Sequence, residues 1–243
     1  MMGSAIEVKR LFLKMGDFQL KNISFDIHPK EIFAILGKTG AGKTLLLESI
    51  AGFYRSMEGG IFLEGKNVLD IPLTERKIGF VYQDYGLFPH MTVRKNISYG
   101  LKMQKKSKKE IAEKVGHMAE IMSISHILEQ YPDTLSGGEK QRTALARSLV
   151  LNPGVLLLDE PFSALDPVTK AAMYKELLKI NEQFDCAILF VTHDFTEAQK
   201  LARRIGIMDK GCLKAVRNSV ELFDYYQNDE LNQFFGIMKG DCV

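Results

Sequence analysis

The chain has few of the features that mark secreted, disulfide-stabilised or metal-binding proteins. Only three cysteines, Cys186, Cys212 and Cys242, occur in its 243 residues. They share no C-x-x-C spacing of the kind that metal and redox sites use. An odd number without a pairing pattern indicates reduced thiols, as in a cytosolic protein. The cysteines therefore argue against a disulfide framework.

Long hydrophobic runs and excess charge are also lacking. A bilayer-spanning helix needs roughly 18 to 20 apolar residues, whereas the longest run near the predicted sheet core covers only residues 186–191. Residues 1–4 show neither the basic nor the apolar region of a secretory signal. A formal net charge of +2 is too small to favour nucleic acid as a partner. We therefore expect a cytosolic protein without a nucleic-acid partner.

What is present is an alternation of apolar strands and helices. The hydrophobic content of 46% is enough for a sizeable core. Apolar patterns predict strands at 6–13, 22–27, 32–36, 61–63, 78–82, 155–158, 187–192 and 204–208. Helices are predicted at 43–52, 138–150, 168–184 and 195–202. Continuous apolar strands between helices favour a mainly parallel, buried sheet, whereas the strand- and glycine-rich first hundred residues favour an antiparallel flap.

The block from about residue 87 to 145 lacks a strand pattern. Ser107 and Glu110 have the spacing of a capping box, which predicts that a helix begins after Ser107. Apolar residues then recur on one face of that helix, at Ile111, Val115, Met118, Ala119 and Met122. The sequence therefore predicts an α/β fold with a P-loop NTPase core, a mainly parallel sheet, an antiparallel β flap and an inserted helical subdomain.

A phosphate-binding loop follows the strand predicted at 32–36. The residues from Gly37 to Thr44 match the pattern G-x-x-x-x-G-K-[ST] and open into a helix, as this motif requires. Its glycines let backbone N–H groups face the phosphates of ATP. Lys43 is expected to reach the β- and γ-phosphates, and the Thr44 hydroxyl to bind Mg²⁺. The predicted nucleotide contacts are Gly37, Lys38, Thr39, Gly40, Ala41, Gly42, Lys43, Thr44 and Leu45.

Two carboxylates end the apolar strand at 155–158. Asp159 and Glu160 should emerge at the carboxyl edge of the sheet, where open α/β sheets bind ligands. We predict that Asp159 holds Mg²⁺ and that Glu160 orients and partly deprotonates the attacking water. The alternative for Glu160 is a cap on the helix that follows Pro161. The upstream phosphate loop favours the catalytic role.

A third motif lies between the first two. Leu135-Ser136-Gly137-Gly138-Glu139-Lys140-Gln141-Arg142 precedes a predicted helix, whose N-terminus could bind an anion through Ser136, Gly137 and Gly138. An ordinary turn and helix cap is the simpler alternative. The three motifs in this order resemble the ATP-binding subunit of an ABC transporter over about residues 5 to 225. That resemblance implies a head-to-tail homodimer, in which this signature contacts the ATP of the opposite subunit.

The resemblance also implies roles for single residues. Gln83 resembles the family's glutamine that senses Mg²⁺ and the attacking water, and His193 its histidine at the γ-phosphate. Asp166 ends a loop, Ser163-Ala164-Leu165-Asp166, that resembles the one crossing the dimer interface. An aromatic residue roughly 25 positions before the loop lysine stacks on adenine in this family. Phe18 fits that position, with Phe12 as the competitor.

The segment from Gln83 to Val93 resembles the importer branch of the family. It implies transmembrane permease subunits as partners and, indirectly, an extracytoplasmic substrate-binding protein, with this chain at the cytoplasmic face of the membrane. Residues 16–20 and 40–52 most resemble molybdate/tungstate importers. We expect one nucleotide-binding domain over 1–230 and a short tail, 231–243, without a regulatory domain. A non-transport ABC ATPase, an exporter ATPase and an ATP-binding module without turnover remain alternatives.

Overall fold

The computed structural model describes residues 3–55 and 57–220. Cys242, the expected tail at 231–243 and the last part of the expected domain lie outside the described residues. The strands within them are β1 (Ile6–Met15), β2 (Phe18–Ile27), β3 (Ile32–Leu36), β4 (Glu58–Leu63), β5 (Lys66–Asn67), β6 (Ile78–Val81), β7 (Val155–Asp159), β8 (Ala187–Thr192), β9 (Arg204–Asp209) and β10 (Cys212–Asn218).

Helices separate most strands of the second half of the chain. They are α1 (Lys43–Ala51), α2 (Val93–Met103), α3 (Lys108–Ile121), α4 (Gly137–Leu149), α5 (Pro167–Phe184) and α6 (Phe195–Leu201). Short 3₁₀ turns occur at Val68–Asp70, Leu73–Glu75, Ser125–Ile127 and Pro132–Thr134. In the described part of the chain, no helix is both long and apolar enough to cross a membrane.

The central sheet has the strand order β10-β9-β3-β8-β7-β6. All its neighbouring strands are parallel except the β9–β10 hairpin. Leu36 of β3 pairs with Thr192 of β8, and Asp159 of β7 pairs with Val191. The carboxyl ends of these strands therefore lie at one edge, where the residues that follow them come together.

The second sheet is the predicted flap. Its order is β2-β1-β4-β5, and every pairing in it is antiparallel. The tip of the β9–β10 hairpin contacts the flap through a hydrogen bond of 2.8 Å, which the Lys21 amide donates to the Gly211 carbonyl. That contact joins the flap to the central sheet beside the phosphate loop, whose Ala41 carbonyl accepts from the Gly211 amide.

The apolar core lies on both faces of the central sheet. Ile32, Ala34 and Leu36 pack in a cluster with the helices of the second half of the chain. The alternate residues of β3, Phe33 and Ile35, pack with α1 and the flap. Side chains of a strand alternate between its faces, so β3 is buried on both sides. This burial explains why its sequence is continuously apolar.

The structure confirms the fold class and corrects several element bounds. Strands β3 and β8 begin and end where the sequence predicts. β2 begins at Phe18 instead of residue 22, because the chain turns back at Gly16, whose φ of 58° suits glycine. α2, β5 and β10 had not been predicted as elements. The helix after Ser107 forms as predicted, and both hydrogen bonds of its capping box with Glu110 are present.

Arg204 links the start of β9 to the turn before β3. Its guanidinium donates to both oxygens of Glu31, over 2.7 and 2.8 Å, and to the Asp26 carbonyl over 2.8 Å. The Glu31 side chain is only 3% exposed. The hydrogen bond with Glu31 raises the pKa of Arg204, and the guanidinium also lies 5.4 Å from the centre of the Phe33 ring. The sequence alone had offered no role for the arginine pair at 203–204.

Replacing Arg204 with methionine is expected to lower the free energy of unfolding by about 2–4 kcal/mol, since it leaves the buried Glu31 carboxylate without its partner. The neighbouring exposed Arg203 provides a matched control. Arg203→Met should change the same quantity by no more than about 0.5 kcal/mol. Urea titration followed by circular dichroism measures both. Equal effects of the two substitutions would contradict this role for the Arg204–Glu31 pair.

Candidate nucleotide-binding site

A pocket of about 360 Å³ lies at the carboxyl edge of the central sheet. Six residues of the phosphate loop and the start of α1 line it: Thr39, Gly40, Gly42, Lys43, Thr44 and Leu45. Phe18 from the flap, Gln83 after β6 and Glu160 after β7 complete the lining. Residues far apart in sequence therefore meet because β3, β6 and β7 end at the same edge.

The phosphate loop is shaped by close backbone packing. Gly42 has φ 98°, and a Cβ there would lie 2.7 Å from the Phe18 ring, so only glycine fits. A Cβ at Gly37 would lie 2.5 Å from the Met208 carbonyl oxygen. Gly37, Lys38 and Ala41 are not among the residues of the described chain that line the pocket. Their backbone instead anchors the loop to the central sheet. The Gly37 amide donates to the Thr192 carbonyl, and the carbonyl of the buried Ala41 accepts from the Gly211 amide.

Lys43 points its ammonium group into the loop. Nζ donates to the carbonyls of Gly37, over 2.9 Å, and Lys38, over 3.2 Å. It also lies 3.2 Å from Oε1 of Glu160, and the lysine side chain is 5% exposed. A buried ammonium group is costly unless it is paired and hydrogen-bonded. These three oxygens satisfy its charge and fix it beneath the pocket.

Thr44 and Asp159 form a pair of oxygen ligands at the end of β7. The Thr44 hydroxyl donates to Oδ2 of Asp159 over 2.9 Å. Oδ1 of Asp159 is buried and has no hydrogen-bond partner among the described residues. Burial raises the pKa of Asp159, although the hydrogen bond from Thr44 opposes that shift. A buried carboxylate oxygen without a donor beside a hydroxyl suits a hard cation such as Mg²⁺.

Glu160 lies between the loop lysine and the histidine that follows β8. Its Oε2 is 2.9 Å from Nδ1 of His193, and its side chain is 13% exposed. The backbone of Glu160 has φ 40°, a left-handed conformation that costs a non-glycine residue of order 1 kcal/mol. Strained residues of this kind cluster at functional sites. The structure thus places Glu160 in contact with both Lys43 and His193, and its catalytic role stays a prediction.

Gln83 is exposed at the pocket, and the loop after it is held by two residues that the sequence had not indicated. Arg147 of α4 donates to the carbonyls of Gly86, over 2.7 Å, and Tyr85, over 3.1 Å. The fully buried Asn96 of α2 binds both the amide and the carbonyl of Phe88. The sequence signal that could have pointed to this support is the position of Asn96 at helical spacing among the apolar residues Val93, Ile97 and Leu101.

The signature lies outside the pocket. Ser136 caps α4, and its capping box with Glu139 is complete, as the sequence of a helix start predicts. Among the described residues, Ser136, Gly137, Gly138 and Asp166 do not line the pocket around Lys43. Nucleotide contact by these residues within one chain is therefore not seen. They stay predictions that require a second copy of the chain.

Asp166 has a local role that sequence reasoning had missed. Its side chain accepts from the amides of Val168 and Thr169 and so caps α5. The loop that it ends lies beside the signature, because a Cβ at Gly137 would come within 3.5 Å of the Leu165 side chain. The signature and the 163–166 loop are therefore neighbours, with Ser136, Gly137, Ser163, Ala164 and Asp166 exposed.

The two aromatic residues that could stack on adenine, Phe18 and Phe12, line different pockets. Phe18 at the start of β2 packs over Gly42 and lines the pocket. Phe12 is 42% exposed and lines a separate pocket with Gln19 and Glu58. Met15 and Phe18 form the β1–β2 pair next to the turn. Of the two aromatic residues, Phe18 is the one that lies against the phosphate loop. Stacking of Phe18 on adenine stays a prediction.

The fold and this loop define the P-loop class of nucleoside-triphosphatases. The sequence profile of the family described as "ABC transporter" matches residues 20–163, more than half of the chain. The chain therefore belongs to the ABC transporter family, and its domain is an ABC ATPase.

Curated relatives agree with this assignment. The molybdate/tungstate import ATP-binding protein of Pyrococcus horikoshii is 42% identical over 95% of this chain. The sulfate/thiosulfate import ATP-binding protein of Pseudomonas syringae pv. tomato is 40% identical over 96% of it. The chain spans 67% and 73% of the length of these two relatives. It spans 64% of the corresponding molybdate/tungstate protein of Pyrococcus abyssi.

Solved structures share the fold. CbiO1 of Clostridium perfringens, part of the ABC transporter complex CbiONQ, has a TM-score of 0.82 at 28% identity and matches 92% of each chain. The ATP-binding cassette MJ0796 was solved as a dimer in a post-hydrolysis state with ADP and Pi. It has a TM-score of 0.77 at 28% identity, over 88% of this chain and 98% of its own.

Proposed function

We propose that this chain is the ATP-hydrolysing subunit of a transporter and powers solute import through partner membrane subunits. One observation carries the proposal. Lys43 and Thr44 of the phosphate loop meet Asp159, Glu160 and His193 at one sheet edge, through contacts of 2.9 to 3.2 Å. These are the groups needed to bind a triphosphate and to direct water at its terminal phosphate.

The phosphate loop binds the triphosphate of ATP. The pocket lies at the N-terminus of α1, where free backbone amides and the helix dipole attract an anion. Lys43 neutralises the β- and γ-phosphates, since its ammonium group already lies beneath the loop. Phosphate binding exchanges its contact with Glu160 for a contact with the nucleotide, which leaves the Glu160 carboxylate available to water.

Magnesium completes the site in this proposal. Thr44 and Asp159 would hold the ion, together with Gln83, which lines the same pocket as Thr44. The supporting observation is the Asp159 oxygen that has no hydrogen-bond donor among the described residues. When bound, the ion neutralises charge on the phosphates and fixes their orientation.

Glu160, which follows β7, and His193, which follows β8, direct the hydrolysis of ATP. Glu160 accepts a hydrogen bond from water and takes up its proton as the water oxygen attacks the γ-phosphorus. The bond between the γ-phosphorus and the bridging oxygen breaks, so that ADP and phosphate are released. His193, 2.9 Å from Glu160, holds the carboxylate and contacts the γ-phosphate.

A second copy of the chain completes each ATP site. The signature residues Ser136, Gly137 and Gly138 form a helix N-terminus outside the pocket lined by their own phosphate loop, and Ser136 and Gly137 are exposed there. In a head-to-tail dimer, each signature covers the ATP held by the other copy. The loop that Asp166 ends then crosses between the two sites. Two ATP molecules close the dimer, and hydrolysis reopens it.

The membrane partners are transmembrane permease subunits at the cytoplasmic face of the membrane. The loop after Gln83 exposes apolar surface at Leu87, Phe88 and Met91, while Arg147 and Asn96 fix its backbone. A helix of the permease fits that surface, so closure of the ATP dimer moves the permease. An extracytoplasmic binding protein delivers the solute to it.

The transported solute is proposed as molybdate, tungstate or another oxyanion. Support comes from the relatives named for molybdate/tungstate and sulfate/thiosulfate import. A polyamine import protein of Thermotoga maritima is also 38% identical to this chain. The solute does not enter the ATP pocket, so the pocket itself does not choose among these classes.

Phe18→Ala is expected to weaken ATP binding by about tenfold, because loss of an aromatic stacking partner typically removes 1–3 kcal/mol per base. Phe12→Ala is the matched control, since Phe12 lies on the same flap outside the pocket. It should change affinity by less than about twofold. Fluorescence titration with an ATP analogue measures both dissociation constants. An effect confined to Phe12→Ala would reverse the assignment.

Co-purification tests the transport proposal. Tagged Glu160→Gln is expressed in its own host, extracted from solubilised membranes with ATP, and its partners are identified by mass spectrometry. A polytopic permease together with an extracytoplasmic binding protein is the expected result and would indicate the solute class. Recovery of soluble partners alone would instead favour a non-transport ABC ATPase, and a permease without a binding protein would favour an exporter.

A further inference from the structure

A buried ionic network lies directly behind His193. Glu197 of α6 is 2% exposed. Its Oε2 accepts from the Thr192 hydroxyl over 2.6 Å, and its Oε1 lies 2.8 Å from Nζ of Lys170 on α5. Both oxygens of the buried carboxylate are thus satisfied, one by a hydroxyl and one by an ammonium group.

The network holds the backbone on both sides of His193. Thr192 precedes it, and its hydroxyl oxygen accepts from the amide of Asp194 over 3.0 Å. Asp194 follows His193, caps α6 and lies 3.8 Å from Lys170 through its other carboxylate oxygen. Among the described residues, the imidazole itself hydrogen-bonds only to Glu160, through Nδ1. Thr192, Glu197 and Lys170 position the backbone from which it extends.

Lys170 also belongs to the first turns of α5. Its backbone amide donates to the carbonyl of Asp166 over 2.9 Å, and Asp166 caps that helix. The 163–166 loop, proposed above to cross the dimer, is therefore one helical turn from the ammonium group that holds Glu197. A continuous route therefore connects that loop to His193: Asp166 bonds to Lys170, Lys170 pairs with Glu197, and Glu197 bonds to Thr192, which precedes His193.

We propose that Lys170 and Glu197 are positioning residues for His193, and that they fix the histidine to the helix that begins at the dimer-crossing loop. The proposal rests on the proposed function, in which His193 acts beside Glu160. It assigns neither residue a contact with ATP. Both act through Thr192 and the backbone of His193.

The physical basis is the cost of leaving the carboxylate unpaired. With Lys170 removed, the buried Glu197 carboxylate has no ionic partner, so it takes up a proton or moves towards solvent. Either change weakens or breaks the bond that it accepts from Thr192. The hydrogen bond that Lys170 donates to Glu197 raises the pKa of Lys170, which agrees with a strong pairing. A shift of about 1 Å in a positioning group can cost up to roughly a hundredfold in rate.

Lys170→Met, Lys170→Arg and Thr192→Val test the proposal in steady-state ATP hydrolysis. Lys170→Met is expected to lower kcat by about 10- to 100-fold, with KM for ATP changed less than about threefold. Lys170→Arg keeps the charge and should recover kcat to within about threefold of the wild type. Thr192→Val keeps the ion pair but removes its link to the histidine, and it should also lower kcat.

Two controls separate positioning from general stability. Lys175→Met makes the same change at an exposed position of α5 and should leave kcat unchanged. The combined variant Lys170→Met/His193→Ala should hydrolyse ATP at the rate of His193→Ala within about threefold, because groups that act as a unit are non-additive. A purely structural defect would instead multiply the two losses.

The outcomes distinguish this proposal from the proposed function. Unchanged kcat in Lys170→Met and Thr192→Val, no recovery by Lys170→Arg, or multiplicative loss in the combined variant would each overturn the positioning role. If His193→Ala itself is fully active, the assumed role of His193 is wrong, and the proposed mechanism fails with it. Should Lys170→Met fold poorly, Thr192→Val decides the question alone.

Discussion

Glu160→Gln is expected to lower the rate of phosphate release by about 10²- to 10⁴-fold, the usual contribution of a general base. Glutamine preserves the shape of the side chain that lies between Lys43 and His193. ATP binding should therefore remain, and the variant should accumulate as an ATP-bound dimer. A phosphate-release assay measures the rate, and light scattering with ATP and Mg²⁺ measures the mass.

The control for this variant is Glu182→Gln, which makes the same chemical change at an exposed position of α5. It should keep the wild-type rate and should not accumulate a dimer. Glu160→Gln that stays monomeric with ATP and Mg²⁺ would contradict the sandwich dimer. Glu160→Gln that hydrolyses ATP normally would contradict the assignment of Glu160 as the base.

Lys43→Ala is expected to weaken ATP binding by about two to three orders of magnitude, which corresponds to the loss of 2.7–4.1 kcal/mol. Charge-assisted hydrogen bonds to phosphate are individually strong, and Lys43 is the loop's only side-chain ammonium group that lines the pocket within the described residues. The substitution also removes the cation beside Glu160, which places an uncompensated carboxylate near the incoming triphosphate.

Isothermal titration with a non-hydrolysable ATP analogue measures this loss. Lys66→Ala in the flap is the matched control, because Lys66 is exposed and does not belong to the pocket lining. The control should bind the analogue with wild-type affinity. Unchanged affinity in Lys43→Ala would refute the assignment of the phosphate loop.

The strands that the sequence predicts best are those whose burial is complete. All residues of β3, β7 and β8 are buried, so their apolar runs mark them clearly. β10 was missed because most of its residues are half-exposed and polar residues interrupt it. β5 has only two residues, too few for any pattern. Periodicity detects burial, and elements that are only partly buried leave little trace of it.

The candidate site also has parts that the sequence predicts and parts that it does not. The phosphate loop and the carboxylates at 159–160 follow from local motifs at strand ends, and His193 follows from the family resemblance together with its place after a predicted strand. The contacts between them depend on strand order, which no local pattern encodes. Two examples are the hydrogen bonds from Arg147 to the Tyr85 and Gly86 carbonyls and the ion pair between Lys170 and Glu197. Each joins elements that are distant in sequence.

The choice between Phe18 and Phe12 shows what the register of a strand pair adds. Spacing from Lys43 favours Phe18 but leaves Phe12 open. In the folded flap, the tight β1–β2 turn puts Phe18 against Gly42, whereas Phe12 pairs across β1 and β4 with Glu58. The local turn at Gly16 therefore determines which ring lies at the pocket.

Mixing two inactive variants tests the central claim, that one copy supplies the phosphate loop and the other the signature. Lys43→Ala lacks the first and Gly137→Asp the second, so a mixed dimer has one intact ATP site. ATP is supplied well above the raised dissociation constant of Lys43→Ala, so that both sites are filled and the dimer can close. We predict that each variant alone releases almost no phosphate. An equal mixture should recover about a quarter of the wild-type rate, because half of the dimers are mixed and each has one of two sites. No recovery at any mixing ratio, with both variants folded, would contradict a site shared between two copies.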